Sequence, residues 1–103
     1  MAAKEIVENA IKDHKIVIFS KSWCPYCDAA KTLFGSAFPD EDVKIFELDE
    51  MNEGIDMQAY LQEKSGQRTV PNIYINQNHI GGNDAVQALN REGELVKLIK
   101  ASA

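Results

Sequence analysis

Two cysteines three positions apart, in Cys24-Pro25-Tyr26-Cys27, lie between a segment typical of a buried strand and a segment typical of a helix. The preceding segment, His14–Ser20, contains a continuous apolar run, which indicates a strand that is covered on both faces. The residues that follow are good helix formers as far as Gly35, a residue type common just past a helix end. The sequence therefore predicts both thiols on the first turn of a helix, beyond the carboxyl end of a strand, where parallel α/β sheets usually carry their chemistry.

A position on the first turn of a helix favours a reactive cysteine. Pro25 suits the first helical position, because its fixed φ matches the helix and its missing N–H would have had no partner there. Cys24 is then the N-cap residue, and its sulfur faces the free N–H groups of Tyr26 and Cys27 and the positive end of the helix dipole. These interactions favour thiolate over thiol, and Lys21 is placed to add a positive charge. We expect a reactive, solvent-facing Cys24 and a more buried Cys27.

The spacing also suits a disulfide that is made and broken. Residues three apart on a helix have Cβ atoms about 5–6 Å apart, close to disulfide geometry. The bridge would close a very short loop, so it would restrain the unfolded chain little.

Two other interpretations of the cysteine pair stay open. A structural zinc site needs four ligands, whereas the chain's only histidines, His14 and His79, lie in separate segments. A purely structural disulfide does not suit the cytosol, where disulfides tend to be transient and catalytic. Redox chemistry is the favoured interpretation, and we expect no metal.

Composition narrows the class of protein further. A length of 103 residues predicts a single domain over 1–103. The formal net charge of −5 argues against nucleic acid or an anionic membrane as a partner. No apolar run approaches the roughly 20 residues of a membrane span, and the N-terminal residues lack a signal-peptide pattern, so we expect a cytoplasmic protein.

Hydrophobic periodicity predicts a mixed α/β sheet. A tight turn through 76–78 requires an antiparallel hairpin, whereas the earlier strands are joined through helices. We expect a four-stranded mixed sheet with helices on both faces, and a solvated acidic loop over 49–54. The predicted helices cover 3–13, 24–35, 55–65 and 83–100, the last broken near Gly93, and the predicted strands cover 16–20, 43–48 at an edge, 72–75 and 79–80.

Three motifs carry a family resemblance. They are Lys21-Ser22-Trp23-Cys24-Pro25-Tyr26-Cys27, Gly66-Gln67-Arg68-Thr69-Val70-Pro71-Asn72 and Gly81-Gly82-Asn83-Asp84. In this order and spacing they resemble the dithiol glutaredoxins of the eukaryotic cytosolic type, and the likeness runs from about residue 5 to residue 99. The resemblance implies a thioredoxin fold and a glutathione-dependent thiol–disulfide oxidoreductase, with glutathione as the co-substrate.

The resemblance also implies roles for individual residues. Cys24 corresponds to the nucleophile that carries glutathione, and Cys27 to the resolving cysteine. Pro71 is expected to follow a cis peptide bond, and the Val70 backbone to pair with the cysteinyl part of glutathione. The other residues expected to contact glutathione are Lys21, Gln58 and Arg68 at its glycine carboxylate, Tyr26 and Thr69 along the groove, and Gly82, Asn83 and Asp84 at its γ-glutamyl end.

Elementary chemistry agrees with these roles. Gly82 permits close approach of a ligand, and a helix that begins at Asn83 offers free N–H groups to a carboxylate.

The chain departs from many relatives at Ala85, where they have a second acidic residue, so the γ-glutamyl contacts would rest on Asp84. Trp23 is interpreted as a packing residue and His79 as a surface residue of the hairpin.

The implied partners are glutathione, glutathionylated or disulfide-bonded proteins and, indirectly, glutathione reductase, and we expect a monomer. A thioredoxin-type reductase is one alternative, although such relatives typically carry Gly-Pro between the cysteines. An iron–sulfur carrier, bridged through Cys24 of two chains and two glutathiones, is another, although it usually has a smaller residue in place of Pro25.

Overall fold

The chain alternates helices and strands before it closes with a hairpin and two short helices, and the computed structural model describes residues 2–101. Residues 1, 102 and 103 of the predicted domain lie outside this range. The elements are α1 (Ala3–Asp13), β1 (Ile16–Ser20), α2 (Pro25–Ala37), β2 (Val43–Glu47), α3 (Gly54–Ser65), β3 (Asn72–Ile75), β4 (Asn78–Gly81), α4 (Asn83–Arg91) and α5 (Glu94–Lys100), with a 3₁₀ turn at Leu48–Glu50.

The four strands form one mixed sheet in the order β2-β1-β3-β4. β1 pairs with β2 in parallel, with Ile16 opposite Val43, and with β3 in antiparallel orientation, with Ile16 opposite Ile75. β3 and β4 form the antiparallel hairpin, whose register shifts between Ile73 and Tyr74. The mixed sheet and the edge position of β2 are as predicted.

Alternation along β1 divides the core into two layers. Val17 and Phe19 face α1 and α3, whereas Ile16 and Ile18 face α2, α4 and α5. All four side chains are fully buried, which explains why the strand reads as an unbroken apolar run. The predicted arrangement of helices on both faces is therefore confirmed.

The predicted end of α2 at Gly35 is wrong, because the helix continues to Ala37. Phe38 forms the C-cap, donating its N–H to the Phe34 carbonyl at 3.0 Å, and the two aromatic rings pack with centroids 6.3 Å apart. Pro39 then prevents further helix. Packing of the aromatic pair therefore outweighs the weak helix propensity of one glycine.

The hairpin and the last two helices agree closely with the prediction. Asn76 and Gln77 both adopt positive φ, as a two-residue hairpin turn requires, and Gly93, also with positive φ, separates α4 from α5. Val96, an apolar residue of α5, is 44 % exposed. The restart at Gly93 turns α5 so that Leu95 and Ile99 are the fully buried residues.

This topology brings the Cys24 segment to the carboxyl end of β1, beside the loop that enters β3. No helix formed by residues 2–101 is long and apolar enough to cross a membrane.

Candidate active site

The first turn of α2 holds the two sulfur atoms. Pro25 occupies the first helical position and Cys24 is the N-cap, with extended backbone dihedrals. The Cys27 N–H donates to Cys24 Sγ over 3.4 Å. The Cys24 sulfur thus lies at the positive end of the helix, in the geometry that stabilises negative charge.

The two thiols differ in accessibility, although less than the sequence suggested. Cys27 is fully buried, and Cys24 is only 5 % exposed, so the prediction of a solvent-facing Cys24 is wrong for the dithiol form. The reason is the neighbouring loop, because Val70 places its carbonyl oxygen 3.9 Å from Cys24 Sγ. Cys24 remains the more accessible of the pair.

Burial raises the pKa of the Cys27 thiol above its ordinary value, and the adjacent Cys24 side chain acts in the same direction. Cys27 therefore stays protonated at neutral pH and does not compete as the first nucleophile. It has to lose its proton before it can attack a bond to Cys24.

Asp49 fixes the loop between β1 and α2. It accepts the Ser22 backbone N–H at 2.9 Å and also hydrogen-bonds the Ser22 hydroxyl. These two bonds, the hydroxyl first, lower the pKa of Asp49 and keep it ionised. Asp49 is exposed, as the prediction of a solvated acidic loop requires, but its two bonds to Ser22 were not predicted.

A cleft of about 520 Å³ opens beside the loop that enters β3. One wall is the segment from Gln67 to Pro71, which includes the cis peptide bond expected before Pro71, and the other is the start of α4. Seven predicted glutathione contacts line this cleft: Tyr26, Thr69, Val70, Pro71, Gly82, Asn83 and Asp84. Sequence reasoning assigned no role to Gln67, which lines the cleft as well; its position next to Arg68 and Thr69 was the only available signal.

The three other predicted contacts form a separate group. Lys21, Gln58 and Arg68 line a neighbouring cleft of about 380 Å³. Gln58 Nε2 donates to the Arg68 carbonyl at 2.9 Å, which ties α3 to the loop. Because Arg68 directly precedes Thr69, the two clefts meet at this peptide.

The far end of the larger cleft is the start of α4. Gly82 is the N-cap in extended conformation, and no side chain caps the helix. Asn83 Oδ1 accepts from Gln87 Nε2 at 3.1 Å, so this side chain is held within α4. The first N–H groups of the helix, including that of Ala85, have no intrahelical acceptor and are available to an anion.

Two aromatic side chains, those of Trp23 and Tyr26, lie next to the cysteines at the protein surface. Trp23 is 67 % exposed, so its interpretation as a packing residue is wrong. Its ring instead lies under Lys21, whose Nζ is 5.7 Å from the ring centroid. Tyr26 is 65 % exposed and borders the larger cleft.

Neither histidine belongs to a metal cluster with the cysteines. His14 pairs with Asp42, with Nδ1 3.0 Å from Oδ1, and His79 lies on β4. Over residues 2–101 no group of three or more histidine, cysteine or acidic side chains is arranged to hold a metal ion.

The fold and the paired thiols define a thiol–disulfide oxidoreductase of the thioredoxin fold, and comparison with known proteins identifies the family. Residues 16–80 match the glutaredoxin family. Glutaredoxin-1 of Saccharomyces cerevisiae is 50% identical over 96 residues, covering 91% of this chain and 87% of its own, and glutaredoxin-2 of Schizosaccharomyces pombe is 46% identical over 98 residues, covering 94% and 86%. Among solved structures, the buckwheat glutaredoxin–glutathione complex superposes with a TM-score of 0.89 at 37% identity, covering 94% of this chain and 86% of that one.

This chain belongs to the glutaredoxin family. It is a glutathione-dependent thiol–disulfide oxidoreductase, as the sequence motifs predicted.

Proposed function

We propose that this chain reduces protein–glutathione mixed disulfides and protein disulfides, with Cys24 as the nucleophile. The observation that carries this assignment is the position of the Cys24 sulfur. It accepts a helix N–H at 3.4 Å and lies 3.9 Å from the carbonyl oxygen of Val70, a residue that lines the larger cleft. A disulfide whose glutathione half occupies that cleft would present its sulfur to Cys24.

In the first step the Cys24 thiolate attacks the glutathione sulfur of the mixed disulfide. A bond forms between Cys24 and glutathione while the original S–S bond breaks, and the protein thiolate leaves and takes up a proton from water. The helix N-terminus stabilises the negative charge on Cys24 before the attack and makes Cys24 a good leaving group afterwards.

Two routes then clear glutathione from Cys24. A second glutathione thiolate attacks the bound glutathione sulfur, which gives oxidised glutathione and returns the Cys24 thiolate. Alternatively the deprotonated Cys27 attacks Cys24, releases glutathione and closes the Cys24–Cys27 disulfide, which two further glutathione molecules reduce. The same pair of thiols reduces a protein disulfide by running this exchange through a mixed disulfide on Cys24.

We place glutathione along both clefts, with its cysteinyl part against the Val70 backbone. The glycine carboxylate then meets Lys21 and Arg68, which enter no salt bridge in the described part of the chain. At the other end, the free N–H groups of α4 suit the γ-glutamyl carboxylate and Asp84 suits its ammonium group. The buckwheat glutaredoxin–glutathione complex, on which this chain superposes, supports glutathione as the ligand of this site.

Replacing Arg68 with glutamine is expected to raise KM for a glutathione mixed disulfide about fivefold, since an exposed charge pair contributes about 1 kcal/mol. The measurement is turnover of the mixed disulfide, coupled through glutathione reductase to loss of NADPH absorbance. Arg91→Gln is the matched control, because it removes the same charge from the far end of α4 and should leave KM unchanged.

Equal KM values for Arg68→Gln and the wild type would contradict the proposed carboxylate contact. Absence of turnover in the wild type would contradict the proposed function itself.

Exposed apolar side chains near Cys24 form a surface that could contact the protein part of a protein–glutathione mixed disulfide. Ile55 is 85 % exposed and borders a groove of about 290 Å³ together with Trp23 and Lys21. A protein whose cysteine is bonded to glutathione must approach Cys24 across this surface, and exposed apolar groups of this kind favour protein contact.

Ile55→Ser is expected to lower kcat/KM about threefold to tenfold for a glutathionylated protein, because apolar burial is lost on binding. Turnover of a mixed disulfide between glutathione and free cysteine should fall by a smaller factor, because Ile55 also borders the cleft proposed for the glycine carboxylate of glutathione. Val96→Ser provides the control, since Val96 is also exposed but lies on α5. Equal loss on both substrates would refute the proposed protein contact.

We also propose that the protein acts as a monomer in a reducing compartment such as the cytoplasm. The residues assigned to nucleophile, resolving thiol and glutathione contacts all come from one chain. A pair of thiols that is oxidised and reduced in turn suits a compartment in which glutathione returns it to the dithiol form.

A further inference from the structure

Gln67 joins one wall of the larger cleft to strand β4, which leads into the other wall. Its side-chain Nε2 donates to the carbonyl oxygens of Thr69 and Pro71, both at 2.9 Å. Both N–H groups of Nε2 are used in these two bonds. The amide oxygen, Oε1, therefore accepts a third hydrogen bond, from His79 Nε2 at 3.2 Å. One amide side chain therefore joins the loop that enters β3 to strand β4.

The two bonds from Gln67 bracket Val70. Its carbonyl lies between those of Thr69 and Pro71 along the chain, yet it is oriented toward Cys24 Sγ, 3.9 Å away. The neighbouring carbonyls are held by Gln67, which limits rotation of the Thr69–Val70 and Pro71–Asn72 peptide groups that flank the Val70–Pro71 peptide. The backbone edge of Val70 is thereby kept toward Cys24.

The same amide also faces the two glycines that lead into α4. A Cβ placed on Gly82 would be 3.9 Å from Gln67 Nε2 and 3.5 Å from the Pro71 carbonyl oxygen, and one placed on Gly81 would be 4.0 Å from Gln67 Oε1. A methyl group added at either glycine would therefore meet Gln67 at ordinary van der Waals distance. Because Gln67 Oε1 contacts His79 on β4, a shift of Gln67 would loosen the link between the Val70 loop and the strand that leads into α4.

We propose that Gln67 is a positioning residue for glutathione. It sets the orientation of the Val70 backbone and the spacing between the Val70 loop and the start of α4. This inference rests on the proposed function, in which glutathione lies in this cleft with its cysteinyl part against Val70. Gln67 acts through these two elements rather than on the reacting sulfur atoms.

The test is the variant Gln67→Glu, which keeps the side-chain shape but replaces the donor with a charged acceptor facing two carbonyl oxygens. We expect KM for a glutathione mixed disulfide to rise about tenfold, since two hydrogen bonds are lost and a repulsion is added. The kcat and the rate at which iodoacetamide alkylates Cys24 should stay close to wild type. Gln67→Met, which removes the donor without adding charge, should raise KM by a smaller factor.

Gln77→Glu is the matched control, because it makes the same chemical change in the hairpin turn at the opposite end of β3. It should leave KM at the wild-type value, and melting temperatures show whether each variant is folded at the assay temperature. A KM for Gln67→Glu within twofold of wild type would overturn the inference. A rise in KM accompanied by proportional falls in kcat and in the alkylation rate would overturn it as well, because such a pattern indicates general damage to the fold. No turnover in the wild type would instead contradict the proposed function on which the inference rests.

Discussion

Replacing Cys24 with serine is expected to reduce turnover of a glutathione mixed disulfide by at least about 1,000-fold, because the variant has no sulfur nucleophile. The serine hydroxyl can occupy the N-cap position of α2, so the fold should persist. Cys27 cannot substitute, since it is fully buried and its raised pKa keeps it protonated at neutral pH. The coupled assay with glutathione reductase measures this loss.

Comparison of Cys24→Ser with Cys27→Ser separates the roles of the two thiols. Cys27→Ser retains Cys24 and the route through a second glutathione, so it should keep most of the turnover of the mixed disulfide. Reduction of a protein disulfide should fall sharply, because Cys27 can no longer resolve the mixed disulfide on Cys24. Substantial mixed-disulfide turnover by Cys24→Ser, or its complete loss in Cys27→Ser, would reverse the roles assigned to the two thiols.

Alkylation separates the two thiols without any assumption about the substrate. Iodoacetamide should modify Cys24 first at neutral pH, and mass spectrometry of the peptides identifies the site. Closure of the Cys24–Cys27 disulfide should accelerate as pH rises toward the raised pKa of Cys27, because only the deprotonated thiol attacks. Faster alkylation of Cys27 than of Cys24 would contradict the burial seen here.

The sequence was sufficient for the sheet and for the position of the thiols because both follow from local patterns. The unbroken apolar run of Ile16–Phe19 indicated a strand buried on both faces, and Pro25 at the first helical position located the start of α2 within one residue. These signals depend on backbone preferences and on burial, which neighbouring residues determine.

Other features depended on contacts between distant segments, and the sequence did not predict them. Asp49 binds Ser22 across 27 positions of the chain, and Gln67 reaches His79 across 12. The low exposure of Cys24 likewise comes from the Val70 loop, 46 positions away. No local pattern distinguishes such residues from solvated polar side chains.

The largest effect on stability is expected from Gly54→Ala at the start of α3. A Cβ at Gly54 would lie 1.7 Å from the Leu48 carbonyl oxygen and 2.7 Å from the Leu48 carbonyl carbon. These are backbone atoms of the 3₁₀ turn and cannot move aside like a flexible side chain. We expect a loss of at least about 4 kcal/mol in the free energy of unfolding, a large part of the 5–15 kcal/mol typical of domains.

Gly35→Ala is the matched control, because it adds the same methyl group to a glycine inside α2 with no atom within 4 Å. It should raise the free energy of unfolding by about 0.5–1 kcal/mol, since alanine is the better helix former. Urea denaturation of the two variants and the wild type measures both changes. A Gly54→Ala variant within 1 kcal/mol of wild type would show that the helix start can shift away from Leu48 at little cost.

The same substitution tests how the packing of α3 reaches the active site. Asp49, which follows Leu48, holds the Ser22 N–H in the loop ahead of Cys24. A folded Gly54→Ala chain would have to displace the Leu48 carbonyl, and that displacement would carry Asp49 with it. We therefore expect any folded fraction to show slower mixed-disulfide turnover than Gly35→Ala. Wild-type turnover in that fraction would mean that the Cys24 loop keeps its geometry without the support of Asp49.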